Sequence, residues 1–491
     1  MPCGEPQAAL TVCAKRNRGL SMKLKTTLLA AIGAATLSAS AAQAQTRPDQ
    51  AAFRALYKEL VETNTTLSVG SCTAAAEKMG ARLKAAGYAD KDVQVLVPAE
   101  RPKDGNLVAT LAGTDAKLKP IMLLAHLDVV EANRADWERD PFTLIEEGGY
   151  FYARGASDDK AMAAVFTDSM IRYKAEGFKP RRGLRLVLTC GEETSDTFDG
   201  VEWLLKHHRP LMEAQFALNE GAGGRLDGEG NRQFLGVQAG EKVYQDFTLL
   251  TTNPGGHSSR PSKDNAIYHL AAAIDPLAAY DFPIRLNEAT KNHFEKMSVI
   301  EGGASGAAMA AVAKDPSNAA AIAQVIKDAS RNSMMRTTCV ATMVSAGHAP
   351  NALPQRAQAN VNCRILPGES LDSVKAQLVQ VFADDKIAVT LVGVPSPVSP
   401  PPPLTRAILG PIEQVSNQMW PGVPLVPTMS TGATDSRFTN AAGIPSYGLS
   451  GMFGDPDGGG THGLNERIRV RSLYEGRDFL HSVVKLYATQ K

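Results

Sequence analysis

Hydrophobic runs in the first half of the chain stop abruptly at polar or charged clusters. Ile121 to Leu124 leads into Ala125-His126, Leu184 to Thr189 into Cys190-Gly191-Glu192-Glu193, and Phe216 to Leu218 into Asn219-Glu220. Short continuous apolar runs of this kind predict strands buried on both faces of a sheet. Between the first two, Met162, Val165, Phe166 and Met170 recur at three- and four-residue steps, the spacing of one helix face. Strand and helix in alternation predict an α/β sheet, whose ligands bind beyond the carboxyl ends of its strands. The polar clusters fall at those ends.

The pattern changes near Gly240. Asp246 to Thr252, Thr337 to Val344, Gln358 to Ile365 and Ile387 to Val392 read as strands. Asn265 to Ile274, and the segment presenting Leu371, Val374, Leu378 and Val381, read as helices. The order strand-helix-strand-strand-helix-strand is that of a split βαβ, or ferredoxin-like, unit. An Ala-rich stretch from Ala304 to Ala329 reads as extra helices within this unit, and Pro395 to Pro403 as an extended linker that closes it. Since α/β character then resumes, the expected organisation is one α/β domain over 45–239 and 395–491, interrupted by an α+β unit over 240–394.

Composition narrows the function classes. With 491 residues, 44% hydrophobic and 21% charged, the chain can bury a large core and suits a multi-domain enzyme better than a small binding module. Its 52 basic and 51 acidic residues leave a net charge of +1, with no basic stripe of the kind nucleic acid needs. From Met22 the sequence runs through Lys23 and Lys25, an apolar segment from Leu28 to Leu37, and Ala42-Gln43-Ala44. This pattern predicts a secretory signal over 22–44 cleaved near Ala44, with 1–21 an upstream extension. The apolar segment is shorter than the ~20 residues of a spanning helix, so a soluble periplasmic or secreted protein without membrane insertion is expected. Cys72, Cys190, Cys339 and Cys363 would remain in an oxidising compartment, where three full pairings are open. Taken alone, Cys190 reads as a packed small hydrophobe.

The candidate chemistry lies in five clusters. In extended chain, His126 and Asp128 face the same way, so the Asp128 carboxylate can lie near the imidazole and orient it, although an ordinary His–Asp hydrogen bond has the same signature. Arg154-Gly155-Ala156-Ser157-Asp158-Asp159-Lys160 delivers two acids to a helix start, where they could equally be caps. Gly191-Glu192-Glu193 places adjacent carboxylates at a strand end, an unfavourable burial without a cation beside them. Glu220, in Asn219-Glu220-Gly221, and His462, in Thr461-His462-Gly463, complete the set. Two imidazoles and several carboxylates without a Cys-x-x-Cys pair suit Zn²⁺, and also Co²⁺ or Mn²⁺.

The unbroken succession His-x-Asp, Arg-Gly-Ala-x-Asp-Asp-Lys, Gly-Glu-Glu, Asn-Glu-Gly, Gly-Gly-His-Ser-Ser, Asn-x-x-Pro and Thr-His-Gly resembles the dizinc exopeptidases of metallopeptidase family 20. That family includes aminoacylases, glutamate carboxypeptidase and succinyl-diaminopimelate desuccinylase. Asn219-Glu220-Gly221-Ala222-Gly223 and Cys339-Val340-Ala341-Thr342-Met343 resemble its carboxypeptidase-like branch. The resemblance implies a mixed central sheet and an inserted lid through which two subunits form a homodimer. It implies two metal ions per subunit, one held by His126 and Glu220, the other by Glu193 and His462, with Asp158 bridging them and a cis peptide after it. Glu192 matches the general base, Asp128 the acid behind the metals, and His257 an oxyanion donor reaching into the partner's site. Asn351 and Arg364 match lid positions that touch substrate, and Arg437 a substrate-side loop. The expected activity is cleavage of an amide bond next to a free carboxylate, in a peptide or an N-acyl amino acid. The rival expectation, a metal-containing binding protein without catalysis, has no use for the base Glu192.

Overall fold

The computed structural model describes residues 47–194 and 197–490; the leader expected over 1–44 lies outside them. Strand β1 (Ile121–His126), helix α1 (Lys160–Ala175), strand β2 (Leu184–Thr189) and strand β3 (Phe216–Asn219) form the centre of the fold. β1 runs parallel to both β2 and β3, with Ile121 opposite Leu184 on one side and Phe216 on the other. These strands sit within a ten-stranded sheet. It is mixed, because Asn106–Leu111 joins β2 antiparallel whereas Leu425–Ser430 joins Arg232–Glu241 parallel.

The continuous apolar runs follow from burial on both faces. Leu123 packs in one hydrophobic cluster with Leu186, Phe166 and Leu480, while Met122 and Leu124 pack in another with Val187, Val201 and Leu204. Leu123 and Leu124 are both fully buried, so Leu→Ala at either should lower the unfolding free energy by ~2–5 kcal/mol in a denaturant titration, through lost apolar burial and the cavity left behind.

The second sheet comprises β4 (Val243–Thr252), β5 (Thr338–Ala346), β6 (Arg356–Ile365) and β7 (Ala388–Leu391), with helix α2 (Ala266–Ala279) after β4 and helix α3 (Leu371–Phe382) after β6. Its strands are antiparallel in the order β5-β6-β4-β7, the order of a split βαβ unit. Only one face is covered, so β6 alternates buried and partly exposed residues along its length. Phe247, Leu249, Val361, Leu270, Val374 and Leu378 make that covered face.

Two features differ from the sequence reading. The helical insertion begins at Glu288 rather than in the Ala-rich stretch: Glu288–Glu301 precedes Gly303–Lys314, Ala319–Val325 and Ala329–Met335. Its first helix is mostly polar and buries a narrow stripe that includes Phe294 and Met297, which leaves little periodic signal. The insertion packs against Val426 and Phe234 of the ten-stranded sheet. The second correction concerns Cys190, which is no isolated packed thiol. It is bonded to Cys72, and Cys339 to Cys363. Cys72 opens the helix Cys72–Ala85 while Cys190 immediately precedes Gly191-Glu192-Glu193, so the first bond ties that acidic loop to a helix start. No helix among the described residues is long and apolar enough to cross a membrane.

Candidate metal centre and active site

The fold brings the acidic clusters to one edge. His126 is the last residue of β1, Glu192 and Glu193 follow β2, Glu220 follows β3, and Asp158 stands just before α1. His462 arrives from the loop ahead of the strand Arg467–Arg469. The Asp158-Asp159 peptide bond is cis.

Asp158 lies between the two imidazoles. Its Oδ1 is 3.1 Å from His126 Nε2 and its Oδ2 is 3.1 Å from His462 Nε2. Glu220 Oε1 is 3.7 Å from His126 Nε2, and Glu193 Oε1 is 3.0 Å from His462 Nε2. The ligand atoms of His126, Asp158 and Glu220 lie within 4.8 Å of one another; so do those of Asp158, Glu193 and His462, and those of His126, Glu192 and Glu193.

These residues fit a pair of divalent cations. His126 Nδ1 donates to the backbone carbonyl of Asp128 at 3.0 Å, which in the neutral ring turns the Nε2 lone pair toward the oxygens of Asp158 and Glu220. Lone pairs converge there with no Lys or Arg among their ion-pair partners in the described residues. The set offers nitrogen and oxygen only, the donor chemistry of Zn²⁺, Co²⁺ or Mn²⁺. The Asp128 carboxylate lies beside the His126 ring, and the same residue also uses its main chain there. Its Oδ1 stands 3.6 Å from His126 Nδ1, and its Oδ2 accepts the backbone N–H of Glu193 at 3.0 Å. Asp128 therefore fixes the His126 tautomer through its main chain and the acidic loop through its side chain.

Electrostatics follow from crowding. Burial, together with the charges of Asp435, Glu193 and Asp128, holds the Glu192 carboxyl well above the usual carboxylate range against the pull of His126. Burial also raises Glu220 strongly. Burial disfavours the His126 cation, yet the charge of Glu220 and the contacts with Asp128 and Asp158 outweigh it and raise the imidazole well above its ordinary value. Hydrogen bonds to Asp158 and Glu193 lift His462 to about 10.

Beside Asp158 and Glu220 opens a cavity of about 510 Å³. Met162, Phe234, Met452, Phe453 and Ile468 give it apolar walls, and His293 of the helical insertion lines it as well. The His293 Nδ1–H donates to the Pro427 carbonyl at 3.2 Å. Neither His293 nor this chamber announces itself in the sequence, because its walls come from segments scattered between Ser157 and Ile468.

The remaining expected site residues are placed elsewhere. His257 is exposed on a two-stranded ladder in which it faces Ala352, beside Asn351. The Ser259 backbone N–H, at 3.1 Å, donates to His257 Nδ1, leaving the ring proton on Nε2. Arg364 lies 4.6 Å over the Tyr244 ring on the open face of the second sheet. Arg437 is buried, with Nη2 3.5 Å from Asp199 Oδ2. None of these four has a hydrogen bond or ion pair with the acids and imidazoles of the centre in this single chain. The sequence reading also passes over Glu466, which lies four residues after His462 and is fully buried beneath Asp158.

Comparison with known proteins agrees with this geometry. Peptidase family M20/M25/M40 matches residues 122–486. An N-fatty-acyl-amino acid synthase/hydrolase from Xenopus tropicalis is 31% identical over 370 residues, 74% of this chain and 71% of that protein. A probable carboxypeptidase S-like protein from Dictyostelium discoideum is 26% identical over 405 residues, 77% of this chain and 74% of its own. In fold, an M20 family metallo-carboxypeptidase from Sulfolobus solfataricus superposes with a TM-score of 0.66 at 18% identity, covering 89% of this chain and 99% of that one. With the family match spanning most of the chain, and the six acids and imidazoles gathered at one sheet edge, this protein is a hydrolase that belongs to peptidase family M20/M25/M40.

Proposed function

We propose that the protein is an exported, zinc-dependent hydrolase that cleaves an amide bond adjacent to a free carboxylate, as a carboxypeptidase, dipeptidase or N-acyl-amino-acid amidohydrolase. The observation that carries this reading is the position of Asp158 between His126 and His462, with Glu192 alongside. His126 and Glu220 would hold one ion, Glu193 and His462 the other, and Asp158 both. Such ions, Zn²⁺ or in its place Co²⁺ or Mn²⁺, supply Lewis-acid polarisation and acidify water. Glu192, beside His126 and Glu193, would take the proton of the attacking water and pass it to the leaving amine. Asp128 holds the tautomer of His126 while that happens.

The apolar chamber beside Asp158 suits an acyl chain or a large apolar side chain. The similarity to the Xenopus tropicalis N-fatty-acyl-amino acid synthase/hydrolase supports the acyl alternative. Arg364 and Asn351 would meet the substrate carboxylate from the second sheet, since a guanidinium fork suits a carboxylate. Arg437, buried against Asp199, would serve as scaffold of the substrate-side loop rather than receive that charge. The test is a panel of dipeptides, N-acyl and N-carbamoyl amino acids, each with a matched C-terminal amide. Turnover should require the free carboxylate; equal turnover of the amides would contradict the assignment.

The second sheet would act as lid and homodimer contact, and His257 would reach the partner's site as an oxyanion donor. Its Nε2–H is free for that role. An oxyanion donor acts mainly in the transition state, so His257→Ala should lower turnover by ~10²–10³ with metal content unchanged. Mixing E192A with H257A subunits should restore part of the activity, because one site of each heterodimer carries neither defect. No recovery after demonstrated subunit exchange would refute the action across the dimer.

A further inference from the structure

His462 is an unusual candidate ligand in that its own packing does not fix it. Its side chain is 56% exposed. Its backbone is left-handed, φ 59°, as is that of Asn465, φ 55°, a conformation that non-glycine residues keep only when their surroundings impose it. What imposes it lies underneath. Arg154, almost wholly buried, donates from Nη2 to the Gly463 carbonyl at 2.9 Å and from Nη1 to Glu466 Oε2 at 2.9 Å. Glu466 Oε2 also accepts the Gly155 N–H at 3.0 Å, and its Oε1 accepts the N–H groups of Ser157, at 2.7 Å, and Asp158, at 3.0 Å.

One buried ion pair thus grips both segments that meet at the second cation position: the turn ending in Asp158 and the loop beginning at His462. We propose that Arg154 and Glu466 are positioning residues that set the spacing of Asp158 and His462 for that cation. The inference rests on the reading of Asp158 and His462 as ligands. A carboxylate that satisfies three consecutive-turn N–H groups and a guanidinium leaves no acceptor capacity idle, so its replacement by an amide must turn a donor against a donor. Buried charge pairs are costly to place and costly to break, but this one is spent on loop geometry rather than on the apolar core. Outer partners of metal ligands typically govern affinity by ten- to a hundredfold.

The test uses the mature chain with Zn²⁺ as probe, comparing wild type with Glu466→Gln and Arg154→Lys. Zn²⁺ affinity is measured by chelator competition, kcat and KM on an N-acyl amino acid, and the melting temperature on the metal-free proteins. Both variants should lose about tenfold or more in the weaker Zn²⁺ affinity, with a lower kcat and an unchanged KM, and their metal-free forms should keep a cooperative melt at a lowered midpoint. Wild-type affinity for both ions in either folded variant would overturn the proposal. So would an Arg154→Lys variant, which keeps the charge but loses the two-armed fork, that loses affinity for both ions equally, since the proposal places the effect at the cation shared by Asp158 and His462. Asp158→Asn separates the two levels of the argument: two ions at full affinity there would remove the ligand assignment itself, whatever Glu466 does.

Discussion

Replacing Glu192 by Gln should leave a protein that still binds two divalent ions but turns over substrate at least ~100-fold more slowly. The carboxylate belongs to the group with His126 and Glu193, within 4.8 Å of both, yet it has no imidazole of its own as Asp158 and Glu193 do. It is buried enough, and close enough to Asp435, Glu193 and Asp128, for its proton affinity to rise well above that of an ordinary glutamate. A carboxylate there can take the proton of the attacking water, whereas a Gln of the same shape cannot accept it. Metal analysis and single-turnover rates on the same preparation check the result. Near-normal turnover would remove Glu192 from the chemistry, and loss of an ion would reassign it as a ligand.

The second large effect is expected at Asp158. Its two oxygens face different imidazoles at the same 3.1 Å, so on the proposed ligand assignment Asp158→Ala would take a donor from both ions and remove the negative charge between them. Two cations a few ångströms apart repel strongly once the bridging charge is gone. The variant should retain at most one ion after gel filtration and fall to background activity, while its ten-stranded sheet, whose core lies away from this edge, keeps a cooperative melt. Two fully occupied ions in Asp158→Ala would show that the bridge lies elsewhere.

How much of this was legible in the sequence depended on where the determining information lay. The strands that present His126, Glu192 and Glu220 are continuous apolar runs because both faces are covered, and a run of that kind survives in one dimension. The antiparallel second sheet left an alternating trace for the same reason, one face being open. The polar helix Glu288–Glu301 left almost none, since only a narrow stripe is buried. The partner of Cys190 could not be read because the bond spans 118 residues and three pairings were open. The spacing of His126 and Asp128 put the carboxylate beside the ring, but the Asp128 carbonyl, which every residue carries, also accepts from His126 Nδ1, and no side-chain pattern encodes that. Glu466 was missed because its partners are main-chain N–H groups, and the apolar chamber because its walls converge only after folding.

The most direct measurement is turnover of an N-acyl amino acid by the purified protein across one cycle of metal removal and return, with ions counted at each stage. Activity should vanish with the ions, stay absent in the chelator-free apoprotein, and return as Zn²⁺ reaches two per chain. Full hydrolysis by a preparation shown to contain no divalent metal would contradict the account.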